Sequence, residues 1–257
     1  MTDSPRIGAI VLAGGGVPAS LAGHCSHRAL LRLGDRLLLD YLLKAVAQVP
    51  GLAGISIVAP AEALGELASL PGHKIAAGDS IVENMQLGAA PLRVNGVTHL
   101  LFITGDIPLV TPEGLTDYIN LSVQSGAELT YPIIPRAACE ARFPGAKRTY
   151  VRLTDGTFTG GNLIFTTATL LDDKQALIQG LYAARKHPIK LAQILGWSTV
   201  FRMVTGKLSL SNIEAVGTRI LCGPVRAIIT QYAEIGFDVD KPEDLAAVEQ
   251  ALARAGR

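Results

Sequence analysis

Through the first half of this chain, short apolar runs alternate with stretches whose apolar residues recur at helical spacing, and that alternation constrains the fold more than any other feature. Strands buried on both faces read as near-continuous apolar runs, and the helices that cross over between them read as amphipathic. Ile7-Gly8-Ala9-Ile10-Val11-Leu12 reads as the first strand, Ile55-Ser56-Ile57-Val58 as the second, and His99-Leu100-Leu101-Phe102-Ile103-Thr104 as a central one, with a short strand around 74–77. Between them Leu38, Tyr41, Leu42, Ala45 and Val49 mark one face of a helix near 37–49, with Asp40, Lys44 and Gln48 on the other. A weaker helical pattern follows over 61–69. Ser80 and Glu83 have capping-box spacing, and Thr111 with Pro112 reads as the N-cap and first residue of a helix over 112–124.

The second half is less regular. Strands are expected near 129–134, 149–153 and 162–165, helical patterns from about 170 to 221 broken at Pro188, Gly196 and Gly206, a late strand from Val225 to Thr230, and a last helix from Pro242 to Ala255. The expected fold is α/β, a three-layer arrangement of a mainly parallel mixed sheet with helices on both faces. With 257 residues and 49% hydrophobic content the chain can bury one large core, so we expect a single domain over 1–257 with a helical excursion at about 170–221. That excursion would shape an acceptor pocket or a homodimer contact. No repeat, low-complexity segment or linker interrupts the chain.

Charge and composition exclude several roles. Twenty-three basic and 22 acidic residues leave a formal charge of +1, too little for a field that recruits nucleic acid or an anionic membrane, and 5% aromatic content argues against a base-stacking surface. The apolar run from Ile7 to Ala13 is too short for a membrane span or a signal segment. Cys25, Cys139 and Cys222 are far apart and odd in number, suggesting neither a disulfide framework nor a zinc site. A cytoplasmic protein with small-molecule partners, and neither nucleic acid nor membrane among them, is the expectation.

Chemistry concentrates where strands end. Gly14, Gly15 and Gly16 directly follow a buried strand, where backbone N–H groups can approach phosphate oxygens with no Cβ in the way; a tight strand-to-loop turn would use the same residues. The spacing matches neither G-x-x-x-x-G-K-[ST] nor G-x-G-x-x-G. Asp106 lies just past the central strand, at the sheet edge where α/β proteins bind ligands, and a carboxylate there can hold Mg²⁺ while phosphates supply further oxygens; a turn-fixing role is the alternative. Asp238 and Asp240 precede Pro242, and Asp240 would serve equally as an N-cap with Glu243 at the capping-box position. Arg28 lies one loop beyond the glycines, in reach of phosphate oxygens or of solvent. His24 and His27 flank Cys25 without a partnered carboxylate, too little for zinc. Gly160-Gly161-Asn162 can bring backbone and an amide close to an acceptor, or make a plain hairpin turn. Arg185-Lys186-His187 suits a helix end.

Taken in order, Ile10-Val11-Leu12-Ala13-Gly14-Gly15-Gly16, His27-Arg28-Ala29-Leu30-Leu31, Thr104-Gly105-Asp106-Ile107-Pro108 and Phe237-Asp238-Val239-Asp240-Lys241-Pro242-Glu243-Asp244-Leu245 resemble the MobA-like nucleotidyltransferases of GT-A-like, Rossmann-like fold. The resemblance covers nearly the whole chain. It implies a Mg²⁺-dependent transfer of a nucleotidyl group from a nucleoside triphosphate to a small phosphorylated or hydroxyl acceptor, with release of pyrophosphate. It places the nucleotide against Leu12, Ala13, Gly14, Gly15 and Gly16, with Gly78, Asp79 and Ser80 near base and ribose. The metal falls to Asp106 with Asp240 or Asp238, and the acceptor side to Gly160, Gly161 and Asn162. Arg28 and Asp106 are the expected catalytic residues.

Two departures from that pattern bear on activity. The usual loop carries an arginine soon after the glycines, where this chain has Val17-Pro18-Ala19-Ser20, and a lysine before A-L-L, where it has Arg28. Arginine keeps the charge but presents a planar fork. Arg32 or Arg36 would have to compensate for the missing cation. A catalytically impaired nucleotide sensor is therefore the competing reading. A nucleotide-sugar glycosyltransferase ranks below it, because the D-x-D of Asp238 and Asp240 lies near the C-terminus rather than in mid-chain.

Overall fold

A computed structural model describes residues 5–184 and 193–254 of the chain, so the Arg185-Lys186-His187 cluster and Pro188 lie outside the described residues. The chain opens with β1 (Ile7–Leu12), a small hairpin of β2 (Arg32–Leu33) and β3 (Arg36–Leu37), α1 (Leu38–Ala47), β4 (Leu52–Ala59), β5 (His73–Ala76), α2 (Ile81–Arg93), β6 (His99–Thr104) and α3 (Pro112–Ser125). It continues with β7 (Leu129–Pro135), α4 (Arg136–Arg142), β8 (Val151–Leu153), β9 (Gly156–Gly160), β10 (Leu163–Thr167), α5 (Ala168–Asp173), α6 (Gln175–Ala184), α7 (Trp197–Val204), α8 (Leu210–Leu221), β11 (Val225–Ile229) and α9 (Pro242–Arg254).

Among the described residues the main sheet has nine strands in the order β5-β4-β1-β6-β10-β7-β9-β8, with β11 beside β7. The N-terminal strands β5, β4, β1 and β6 are parallel, and β10 turns the sheet antiparallel. Strand periodicity separates the two faces. Ala9, Val11, Leu101 and Ile103 pack with α1 and α3 residues such as Leu42, Leu43, Leu115 and Tyr118. Ile10, Leu100 and Phe102 point the other way, onto Met85, Ala89 and Leu92 of α2. The three layers are thus those expected from the alternating runs. Helix α2 sits close on the sheet because Gly88 faces it: a Cβ there would lie 2.5 Å from Ile10 Cγ2 and 3.0 Å from Val58 Cγ2.

Several local expectations need correction. The 61–69 pattern forms a 3₁₀ turn at Ala61–Ala63 followed by further turns; Ala63, Leu67 and Leu70 do bury, but Gly65 interrupts the segment and weakens a helix. Helix α4 and strand β9 were not expected, since neither carries a clean period. Gly160-Gly161-Asn162 is not a hairpin turn. It is the break between β9 and β10, which both run antiparallel to β7 on the side away from β11: Thr130 pairs with Phe165 and Ile133 with Gly160, while β11 takes the opposite edge of the same residues. At the break the Asn162 N–H leaves the ladder and donates to the Ile235 carbonyl at 2.9 Å. A Cβ at Gly161 would lie 2.8 Å from both Ile235 Cγ2 and Pro132 Cγ, so the crossing admits only glycine without rearrangement.

Candidate active site

The carboxyl ends of β1 and β6 are neighbours, with Leu12 paired to Thr104, and the loops beyond them stay together because Gly105 N–H donates to the Leu12 carbonyl at 2.9 Å. A cavity of about 420 Å³ opens there. Leu12, Ala13 and Gly14 to Gly16 wall it from the β1 side, Gly78, Asp79 and Ser80 from the entry to α2, and Arg28 and Asp106 from below. The structure thus brings the whole expected nucleotide set to one concavity, at the sheet edge where α/β proteins take ligands.

The three glycines differ in what requires them. None has a positive φ, so backbone conformation does not demand glycine at any of the three. Among the described residues, a Cβ at Gly14 would crowd Ala77 Cβ at 3.0 Å, one at Gly15 would only touch Arg28 Cδ at 4.0 Å, and one at Gly16 would meet nothing within 4 Å. Packing accounts for Gly14 alone. Gly15 and Gly16 leave open backbone facing the cavity.

The opposite wall is pinned by side chains. Ser80 Oγ accepts from Glu83 N–H at 3.1 Å, Glu83 Oε2 from Asp79 N–H at 2.8 Å, and Asn84 Oδ1 from Gly78 N–H at 2.7 Å. The box expected between Ser80 and Glu83 is therefore offset by one residue on its return half, since Glu83 reaches Asp79. The Gly78 and Asp79 N–H groups are thus already engaged within the segment.

Asp106, Asp238 and Asp240 each place a carboxylate oxygen within 4.8 Å of the others. A backbone bond joins their segments, Val239 N–H donating to the Asp106 carbonyl at 3.0 Å, and the Ser20 side chain pins the Asp240 carbonyl from the glycine loop at 2.7 Å. Asp240 is not the helix cap. Asp244 Oδ2 accepts from the N–H groups of Asp240 and Lys241 at 3.0 and 2.9 Å, which leaves the Asp240 carboxylate to the cluster. Thr104 Oγ1 donates to Asp106 Oδ1 at 2.5 Å.

Two guanidinium groups balance the cluster from opposite sides. Arg28 Nη2 lies 2.5 Å from Asp106 Oδ2, 2.6 Å from Asp240 Oδ1 and 2.9 Å from the Val239 carbonyl. Arg148 pairs with Asp238 and stacks over the Phe237 ring at 4.5 Å. Burial raises the Asp106 carboxyl above its ordinary range, with Asp238 and Asp240 adding to the rise and Arg28 and Thr104 opposing it. Burial, then repulsion from Asp238, raises Asp240 as well. At Asp238 burial also pushes upward, but the hydrogen bond and charge of Arg148 outweigh it and the group is held low. Three hard carboxylate oxygens at this spacing suit Mg²⁺ or Mn²⁺. His24, Cys25 and His27 take no part in the cluster.

A second cavity, of about 1050 Å³, lies beyond the carboxylates and is lined by Gly160, Gly161, Asn162, Tyr131 and Arg148 together with Asp238 and Asp240. Asp106 faces the smaller cavity, so the cluster stands between the two. Arg32 and Arg36 lie away from both: Arg32 pairs with Glu66 at 2.8 Å, and Arg36 sits by Asp40 and over Tyr41. Neither replaces the cation absent from Val17-Pro18-Ala19-Ser20. Sequence reasoning passed over Asn84, Thr104, Tyr182 and Arg148. The first two stand four residues after Ser80 and two before Asp106, within reach of a local search. Tyr182 and Arg148 arrive from distant elements.

Comparisons with known proteins bear on the family and the fold. A family model described as MobA-like NTP transferase domain matches residues 9–194. A hypothetical transferase from Thermus thermophilus is 36% identical, with 93% of this chain and 99% of that one covered and a TM-score of 0.79. A phosphoenolpyruvate guanylyltransferase of Nocardia farcinica is 32% identical over 107 residues, 39% of this chain; the match spans only 46% of that relative's length. A Mycobacterium tuberculosis protein solved in complex with manganese shares the fold at 18% identity, with 95% and 98% of the two chains covered and a TM-score of 0.50. Among the described residues no helix is long and apolar enough to cross a membrane.

Proposed function

The chain belongs to the MobA-like NTP transferase family, and from that premise we propose that it transfers a nucleoside monophosphate from a triphosphate in the smaller cavity to a small acceptor in the larger one. The observation that carries this reading is the position of the Asp106, Asp238 and Asp240 carboxylates between the two cavities. Strands from both halves share one sheet, and the same reading treats the chain as a single domain.

The protein's own contribution is binding, orientation and charge. Gly15 and Gly16 offer backbone N–H groups to phosphate oxygens, and the Gly78-Asp79-Ser80 wall confines base and ribose. The three carboxylates would hold Mg²⁺, which would supply neutralising charge to the triphosphate. Gly160, Gly161 and Asn162, with Arg148 opposite, orient the acceptor. An acceptor oxygen then forms its bond to the α-phosphorus as the bond to the β-phosphate bridging oxygen breaks, and pyrophosphate departs with that electron pair. Arg28 is the one cationic side chain lining the smaller cavity among the described residues, and it stabilises charge on the phosphates.

The name of the Nocardia farcinica relative makes GTP and phosphoenolpyruvate the first donor and acceptor to try. Pyrophosphate release is measured with each nucleoside triphosphate and Mg²⁺ or Mn²⁺, alongside thermal stabilisation by nucleotide. Release with one base supports the transferase. Stabilisation without release under every acceptor tried supports the second reading, a nucleotide sensor, which the presence of Arg28 as the one cationic side chain lining the cavity among the described residues favours.

A further inference from the structure

Arg28 meets the carboxylate cluster in an unusual way for an arginine. A guanidinium commonly engages carboxylate through two parallel N–H donors. Here one nitrogen, Nη2, gathers Asp106 Oδ2 at 2.5 Å, Asp240 Oδ1 at 2.6 Å and the Val239 carbonyl at 2.9 Å, while Nε is buried with no hydrogen-bond partner among the described residues. The nitrogen stands at the point where three oxygens converge, as a metal cation would.

We propose that Arg28 is an exchangeable counter-ion of this cluster: it holds Asp106 and Asp240 together until a triphosphate draws it away, and the cluster then takes a divalent cation in its place. The proposal rests on reading the cluster as the cation site of a nucleotidyltransferase. Three features support exchange rather than a fixed ion pair. The unsatisfied Nε and the terminal nitrogens together match two phosphate oxygens better than they match the present partners. The Arg28 stem already lies beside Gly15, so a change of side-chain rotamer carries its head toward the glycine N–H groups. Arg148, by contrast, is braced on the Phe237 ring and holds Asp238 from the other cavity, so it stays while Arg28 moves.

The electrostatics couple the two events. Three carboxylates this close repel one another, so Arg28 leaves only as another cation arrives, and a cation enters only as Arg28 leaves. Nucleotide and metal therefore raise each other's affinity by the same factor. Metal alone competes with an arginine that is already in place.

The test is Mn²⁺ binding without nucleotide, followed by loss of the free-ion paramagnetic resonance signal. Arg28→Gln should bind Mn²⁺ at least about tenfold tighter than the unsubstituted protein, and Arg28→Lys, whose shorter ammonium keeps the charge, should give a smaller gain of the same sign. Adding Asp106→Asn to Arg28→Gln should abolish the gain. Equal or weaker Mn²⁺ binding in whichever Arg28 variant folds, judged by circular dichroism, overturns the exchange. Because no nucleotide is present, this result is separable from turnover: pyrophosphate release with unchanged Mn²⁺ affinity sinks the exchange and keeps the transferase, and tighter Mn²⁺ binding without release from any triphosphate does the reverse.

Discussion

Arg28 and Asp240, 212 positions apart in the chain, are joined by an Nη2 to Oδ1 contact of 2.6 Å. The glycine-loop half of the site is thereby tied to the segment that leads into the last helix. Through Asp106 the same guanidinium also reaches the end of the central strand.

Asp106→Asn keeps the shape of a side chain that accepts from Thr104 but removes one of three clustered charges. Turnover should fall by about 10²-fold or more, the scale of losing one preorganised electrostatic group. Pyrophosphate release measured on a variant of native circular dichroism decides it; unchanged turnover removes Asp106 from the chemistry.

Gly16→Ala meets no atom within 4 Å and requires no change in φ. Stability should shift by about 0.5 kcal/mol or less, while nucleotide affinity drops by about tenfold, because the added methyl occupies the approach to the backbone N–H groups. Calorimetric titration with the preferred triphosphate reports the second effect. Full affinity in this variant would place the phosphates elsewhere.

Gly88→Ala gains helix propensity but drives a Cβ to 2.5 Å from Ile10 Cγ2, between α2 and the sheet. Overpacking should dominate and cost about 1–3 kcal/mol, read as a lowered thermal midpoint. A stabilised variant would show that α2 can lift from the sheet at no cost.

Arg148→Gln tests the acid side of stability. Although burial pushes Asp238 up, Arg148 holds it below its unfolded value, so this ion pair contributes stability above about pH 3.9 and loses it as pH falls from there through the folded value. The variant should melt below the unsubstituted protein at pH 7, and the gap should close as pH drops below about 4. A gap that does not change with pH would assign the loss to the stacking of Arg148 on Phe237 instead.

Much of the fold was legible because its signals are local. The run from His99 to Thr104 is a strand over those same residues, and Thr111 caps α3 through Gly114 N–H at 3.1 Å, as its position before Pro112 implies. The order of strand, glycines, central strand and Asp106 also placed the smaller cavity, since a parallel sheet brings its strand ends to one edge. Strand β9 and the break at Gly161 were not legible. Their reason lies in Pro132 and Ile235, which are distant in sequence and close in space.

Apolar period, glycines that leave backbone open and carboxylates that follow strands can all be read along the chain, because these are properties of single segments. Long-range packing set the rest: Asp244 accepts from the Asp240 and Lys241 N–H groups ahead of the last helix, Arg28 rests on carboxylates, and Arg148 holds Asp238 low. Those outcomes depend on which charges the sheet brings within a few ångströms of one another: residue type supplies the charge, but distance and burial set the Coulomb energy, and order along the chain gives neither.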